Sequence, residues 1–106
     1  MSNSSTSANE WVLTKEIFDG LMLRFAPERE VAAEQYEITR RKLIKFFMFH
    51  RTNEPEADAD EVINRVARKI AAGEEVQNLP AYFLGAARFL LIETVKKNAR
   101  RETALK

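Results

Sequence analysis

The sequence predicts an all-α protein, folded as a compact bundle of about four helices. Apolar residues recur every three or four positions in four separate stretches, which is the spacing of one buried helix face. Short segments containing proline, glycine or asparagine separate these stretches, as they commonly do between helices. No stretch shows the strict apolar and polar alternation of a half-buried strand. A chain of 106 residues provides one domain with a modest core.

The first two helices are predicted over residues 10–25 and 28–51, and Pro27 interrupts the helical pattern between them. The second helix is the longest. Its end, residues 43–49, is apolar nearly all round, which indicates either burial between other helices or a docking patch. The only histidine, His50, has neither cysteines nor an acid partner nearby in sequence, so we expect an ordinary polar residue rather than a ligand or base.

The third and fourth helices are predicted over residues 56–72 and 78–101. Gly73 suits the position just past a helix C-terminus. Asn78 is a good N-cap, and Pro80 is tolerated in a first helical turn because its missing N–H costs little there.

Both chain ends differ in composition from the helical region. Residues 1–9 are polar and serine-rich, so we expect a disordered segment. Residues 10–101 then form a single helical domain, and residues 102–106 are expected to fray.

The fourth helix is predicted to have two unlike faces. One broad face is apolar and expected to be buried: Phe83, Leu84, Ala87, Leu90, Leu91, Thr94 and Val95. The opposite face gathers rings and charges: Tyr82, Phe89, Glu93, Lys96, Lys97 and Arg100. Cations beside aromatic rings suit a nucleic-acid strand, because charge meets phosphate and rings stack on bases. Packing of the two rings on a neighbouring helix explains them equally well.

Charge is unevenly distributed although the net charge is only +1. Residues 54–61 hold five acids and no base, whereas residues 88–106 hold six bases and two acids. This asymmetry indicates two surfaces with different roles. The helix dipole accounts for part of it, since acids favour N-termini and bases favour C-termini.

The residue types needed for most catalytic sites are missing or scattered. The chain has one histidine, no cysteine and three widely separated glycines, which is too little for a zinc site, a thiol nucleophile or a phosphate-binding loop. We therefore expect no enzyme activity, no cofactor and no metal. Without a membrane span, a signal peptide or a cysteine, a cytoplasmic location is expected, with no membrane partner.

Three stretches resemble a known family. Residues 60–68 (DEVINRVAR) are similar to the family segment Gln-Glu/Asp-Thr/Val-Phe-x-Arg-Ala-Trp-Arg, and residues 81–89 (AYFLGAARF) to Ala-Trp-Leu-x-x-Ile-Ala-Arg-Asn. Tyr36 and the segment 40–46 resemble the family's basic, aromatic first helix. In order and spacing these stretches resemble the second conserved region of bacterial RNA polymerase sigma factors of the extracytoplasmic-function type. The resemblance covers residues 14–101.

This resemblance implies an all-helical module that binds core RNA polymerase and recognises and melts the promoter −10 element. The third helix would dock on the clamp helices of the largest polymerase subunit through Asp60, Glu61, Arg65 and Arg68. The loop at residues 73–79 and the start of the fourth helix would capture an unpaired base of the non-template strand. The implied DNA-binding residues are Tyr82, Arg88, Phe89, Lys96, Lys97 and Arg100. The family also implies an anti-sigma factor as a further partner.

Departures from the family pattern keep other functions open. Phe89 stands where the family has asparagine, Ala67 where it has a large aromatic residue and Asp58 where leucine is common. The family's second helical domain, which reads the −35 element, is not in this sequence, so we expect an excised domain or one that works with a partner. One alternative is a helical interaction module that has lost DNA binding and docks on polymerase or a regulator. A small helical enzyme is a further alternative.

Overall fold

The computed structural model describes residues 14–105 and contains four helices there: α1, Lys15–Phe25; α2, Arg29–Phe49; α3, Pro55–Ala71; and α4, Leu79–Leu105. The described residues contain no strand. The predicted compact all-α bundle of about four helices is confirmed. The segment 1–9, predicted to be disordered, lies outside the described residues. None of the described helices is long and apolar enough to cross a lipid bilayer.

The helix boundaries follow from local capping. Thr14 is the N-cap of α1, where its hydroxyl oxygen accepts a hydrogen bond from the Ile17 N–H at 3.2 Å. The helix was expected from residue 10, and residues 10–13 lie outside the described part. At the start of α4, the side-chain oxygen of Asn78 accepts a hydrogen bond from the Ala81 N–H at 3.1 Å, which confirms the predicted cap.

Proline and glycine delimit α3, and Gly73 ends it as the sequence predicts. Pro55 occupies its first turn, where the missing N–H leaves no helical hydrogen bond unmade. At the other end Gly73 has a φ of 96°, which favours glycine, and the N–H of Glu74 reaches back to the Lys69 carbonyl at 3.0 Å. The chain therefore turns sharply out of α3 into the loop that leads to α4.

The core lies around α3, which contacts each of the other three helices. Its inner side is fully apolar and buried, with Ala59, Val62, Ile63, Val66 and Ala67. The other helices contribute buried side chains to the same cluster: Leu21 from α1, Leu43 and Phe47 from α2, and Phe83, Ala87 and Leu90 from α4. The chain thus builds its bundle on one apolar helix side, and α3 is its centre.

Aromatic contacts join the remaining helices. The ring of Phe25 in α1 stacks on Phe83 in α4, with centroids 5.9 Å apart. Tyr36 in α2 meets the edges of Phe18 and Phe25 at 5.4 and 6.5 Å. Because the Tyr36 hydroxyl is partly desolvated, its pKa is raised above the ordinary tyrosine value.

The fourth helix departs from two predictions. Phe83, Ala87 and Leu90 are buried as expected, but Leu84 and Val95 are 40% and 58% exposed. The reason is geometric: α4 packs on α2 and α3, and on α1 through Phe83, and these contacts leave Leu84 and Val95 largely uncovered. The tail expected to fray over residues 102–106 is helical as far as Leu105, and Lys106 lies outside the described residues.

Candidate binding surfaces on the fourth helix

An ion-pair network fixes the position of α4 on α3. The Arg65 guanidinium donates to the Glu61 carboxylate at 2.8 Å and, through its two terminal nitrogens, to both oxygens of Glu93 at 2.9 Å. These hydrogen bonds raise the pKa of Arg65 and, through Arg65, hold the pKa of Glu93 below its usual value. Glu93 is therefore directed towards α3, and Arg65 towards α4.

A second ion pair joins the other flank of α3 to α2. Arg40 in α2 donates to the two oxygens of Asp60 at 2.8 and 3.3 Å. Two of the four predicted polymerase-binding residues, Asp60 and Arg65, thus hold neighbouring helices together. Glu61 pairs with Arg65 within α3, and Arg68 is half-buried two turns beyond Glu61 on the same helix side.

The two predicted DNA-stacking rings line one groove between α3 and α4. The groove has a volume of about 440 Å³, and its lining includes Tyr82, Phe89, Arg65 and Lys69. Tyr82 is half-buried and packs against the core, whereas Phe89 is 63% exposed. Core packing therefore explains Tyr82, but it leaves most of the Phe89 ring accessible to a ligand.

Gly85 keeps this groove open. It lines the groove between the two rings, and a Cβ added at Gly85 meets no heavy atom within 4 Å. A Cβ therefore fits at Gly85 without displacing protein atoms. This makes Gly85 a position at which the groove can be filled while the helix is kept.

The predicted DNA-binding cations are distributed over different sides of α4. Helical spacing aligns Lys96 and Arg100 with Phe89, along the side that carries the groove. Lys97 instead lines a polar groove of about 310 Å³ whose lining includes the acids Glu54 and Asp58. Arg88 lies about 120° round the helix from Tyr82, so the structure does not bring Arg88 to the groove.

The loop expected to capture an unpaired base is held by the bundle and carries acids. Val76 is buried, and the Arg24 side chain of α1 donates a hydrogen bond to its carbonyl oxygen. Glu74 and Glu75 are exposed on this loop. Their charge repels phosphate, which makes the groove better suited than the loop to a nucleic-acid strand.

The far side of α4 carries an apolar surface that the sequence analysis missed. We call it the outer face and define it by Leu84, Arg88, Ile92 and Val95, which share one side of the helix. Its three aliphatic side chains are 40%, 51% and 58% exposed. The available signal was that residues 79–95 contain only two charged side chains, Arg88 and Glu93, so this part of α4 has more apolar surface than one buried side requires.

No protein-family model, curated protein or solved structure matches this chain. The resemblance to sigma factors therefore rests on the three sequence stretches alone. Among residues 14–105, no group of three or more histidine, aspartate or glutamate side chains is placed to hold a metal ion.

Proposed function

We propose that this chain is a sigma-factor-like transcription-initiation module that binds core RNA polymerase and the non-template strand of the −10 element in the cytoplasm. The observation that carries the proposal is the groove between α3 and α4, where Tyr82 and Phe89 lie with Lys69 along one concave surface. In this proposal the groove receives an unpaired base, which stacks on the exposed Phe89 ring. The three sequence stretches that resemble sigma region 2 support the same function.

Charge and stacking have separate roles in this proposal. Stacking of one base on an aromatic side chain contributes about 1–3 kcal/mol, which offsets part of the cost of unpairing it. Lys69, Lys96 and Arg100 attract phosphates. Arg65 contributes less net charge to the groove because Glu61 and Glu93 compensate it.

Polymerase binding is assigned to the outward side of α3. Glu61 and Arg68 lie on this side, and Asp60 lies at its border with α2, exposed and paired with Arg40. We propose that these residues meet the clamp helices of the largest polymerase subunit.

The test is fluorescence anisotropy of the chain with single-stranded −10-like oligonucleotides, titrated across salt concentrations. Phe89→Ala should weaken binding about tenfold through lost stacking. Gly85→Leu should weaken it similarly by filling the groove. Gly20→Leu is the matched control, since Gly20 in α1 also has open space beside it and lies away from the groove. Equal binding by wild type and both groove variants would contradict the proposal.

The cations provide a second readout in the same titration. Lys96→Ala and Arg100→Ala should each weaken binding for all oligonucleotide sequences and reduce the slope of log affinity against log salt by about 0.7, because each removes one phosphate contact. An unchanged slope in both variants would show that these cations do not follow the strand.

A second candidate function is a helical interaction module that docks on polymerase or a regulator without binding DNA. The exposed aliphatic side chains of the outer face favour it, because a group of exposed apolar side chains commonly marks a protein–protein interface. Retention of core polymerase in a pull-down, together with no oligonucleotide binding at low salt, would support this candidate over the first.

A further inference from the structure

We infer that the outer face of α4 docks an acidic amphipathic helix of a partner protein. This surface is separate from the groove that the proposed function uses. It lies on the exposed side of α4, and none of its four residues lines the groove.

The spacing of the outer face fits a partner helix. Its residues lie at positions 84, 88, 92 and 95, so they form a nearly straight line along three turns of α4. Side chains repeated every three to four residues are those that a second helix covers in side-by-side packing. All four are exposed. A helix laid along this line would remove the three aliphatic side chains from water together.

The charge of the outer face specifies the partner's chemistry. Arg88 lies within the aliphatic line and is the one charged residue among its four members. The only acid between residues 84 and 100 is Glu93, which points to Arg65 in α3. The next acid, Glu102, lies two turns beyond Val95. The outer face is therefore cationic and apolar, and its complement is apolar and acidic.

Two other occupants fit this surface less well. A second copy of the chain, packed antiparallel over the same four residues, would bring the Arg88 side chains of both copies close together. A nucleic-acid strand needs flat rings for base stacking, whereas the apolar side chains here are Leu84, Ile92 and Val95. An acidic amphipathic helix can pair its carboxylates with Arg88 and cover the three aliphatic side chains with its apolar side.

The experiment uses two designed peptides as probes. Both are 21-residue amphipathic helices with leucine along one side; one carries glutamates on the flanks of that side and its twin carries lysines. Binding of each labelled peptide to the full chain is measured by fluorescence anisotropy, with circular dichroism as the folding control for every variant. The variants are Val95→Asp and Arg88→Glu on the outer face. The control is Leu23→Asp, which places the same new charge at an exposed apolar position of α1.

We expect the glutamate peptide to bind at least about tenfold more tightly than its lysine twin. Val95→Asp should weaken that binding about tenfold, and Leu23→Asp should leave it unchanged. Arg88→Glu should shift the preference towards the lysine peptide, which a merely misfolded variant would not do. Equal binding of the two peptides, or an Arg88→Glu variant with the wild-type preference, would overturn the inference.

Two further measurements separate the other occupants. Light scattering that shows a dimer dissociated by Val95→Asp would assign the outer face to self-association and overturn the inference. Loss of oligonucleotide binding in Val95→Asp, with the groove variants unaffected, would assign it to nucleic acid and overturn it equally. A monomer whose oligonucleotide binding is insensitive to Val95→Asp supports the separate docking surface.

Discussion

The helices α3 and α4 pack against each other but use their surfaces differently. In α3 the apolar residues form one buried side, and charged residues on its two flanks pair with α2 and α4. In α4 the buried side is accompanied by an exposed aromatic ring over a groove and by exposed aliphatic residues on the outer face. The difference indicates that α3 organises the fold, whereas α4 leaves an aromatic ring and several aliphatic side chains exposed.

The largest expected effect on stability distinguishes the buried side of α4 from its exposed side. Phe83 is 3% exposed within the core and Phe89 is 63% exposed. Phe83→Ala should therefore lower the free energy of unfolding by about 3–5 kcal/mol, because it leaves a cavity, and Phe89→Ala by less than about 1 kcal/mol. Urea denaturation followed by circular dichroism measures both. Similar losses would mean that Phe89 belongs to the core and not to a binding groove.

A matched valine pair compares α3 directly with α4. Val66 is fully buried in α3, whereas Val95 lies on the outer face of α4. Val66→Ala should lower the free energy of unfolding by about 2 kcal/mol, and Val95→Ala should lower it by about 0.5 kcal/mol or less. The same denaturation experiment provides the values, and a cost of Val95→Ala as large as that of Val66→Ala would show that the outer face is covered within the chain.

The Arg65–Glu93 ion pair between α3 and α4 should make a moderate, pH-dependent contribution to the free energy of unfolding. Glu93→Gln should lower the free energy of unfolding by about 0.5–1 kcal/mol at pH 7, because the pair is half-exposed. Arg65 holds the folded-state pKa of Glu93 below the unfolded value of about 4.3. This contribution is therefore present above that unfolded value and is lost as the pH falls through the folded pKa. Denaturation at several pH values should show wild type and variant converging in acid; a constant difference down to about pH 2 would contradict the assignment.

The smallest expected effect on stability concerns the ion pair between α2 and α3. The Arg40–Asp60 pair is exposed, so Asp60→Asn should cost about 0.5 kcal/mol or less and the cost should shrink at high salt. A larger, salt-insensitive loss would mean that this pair supports the fold as strongly as core packing does. If it behaves as expected, Asp60 can be substituted to test polymerase docking without disturbing the bundle.

The sequence predicted the features that depend on local chemistry. The four helices, the Asn78 cap and the turn at Gly73 follow from periodicity and from single residues, so they were found without knowledge of the tertiary structure. These predictions cover the fold class and most helix boundaries.

The candidate site was predicted less completely because it depends on how α4 sits on α3. A broad apolar face does not reveal how much of its width the neighbouring helices cover, so Leu84 and Val95 were expected to be buried. The approach of Arg65 to Glu93 joins residues 28 positions apart and requires the register between two helices. The separation of Arg88 from the groove, in contrast, follows from helical spacing within α4.

The most direct test of the claim that α4 binds partners on two sides is an NMR titration of the isotope-labelled chain. The oligonucleotide and the glutamate peptide are added separately, and shifts of aromatic and methyl signals are mapped. We predict that the oligonucleotide shifts the Phe89 ring signals and that the peptide shifts the methyl signals of Leu84 and Val95, with Leu23 in α1 unaffected by either. Shifts confined to α1 and α2, or identical shifts on α4 for both ligands, would contradict the claim.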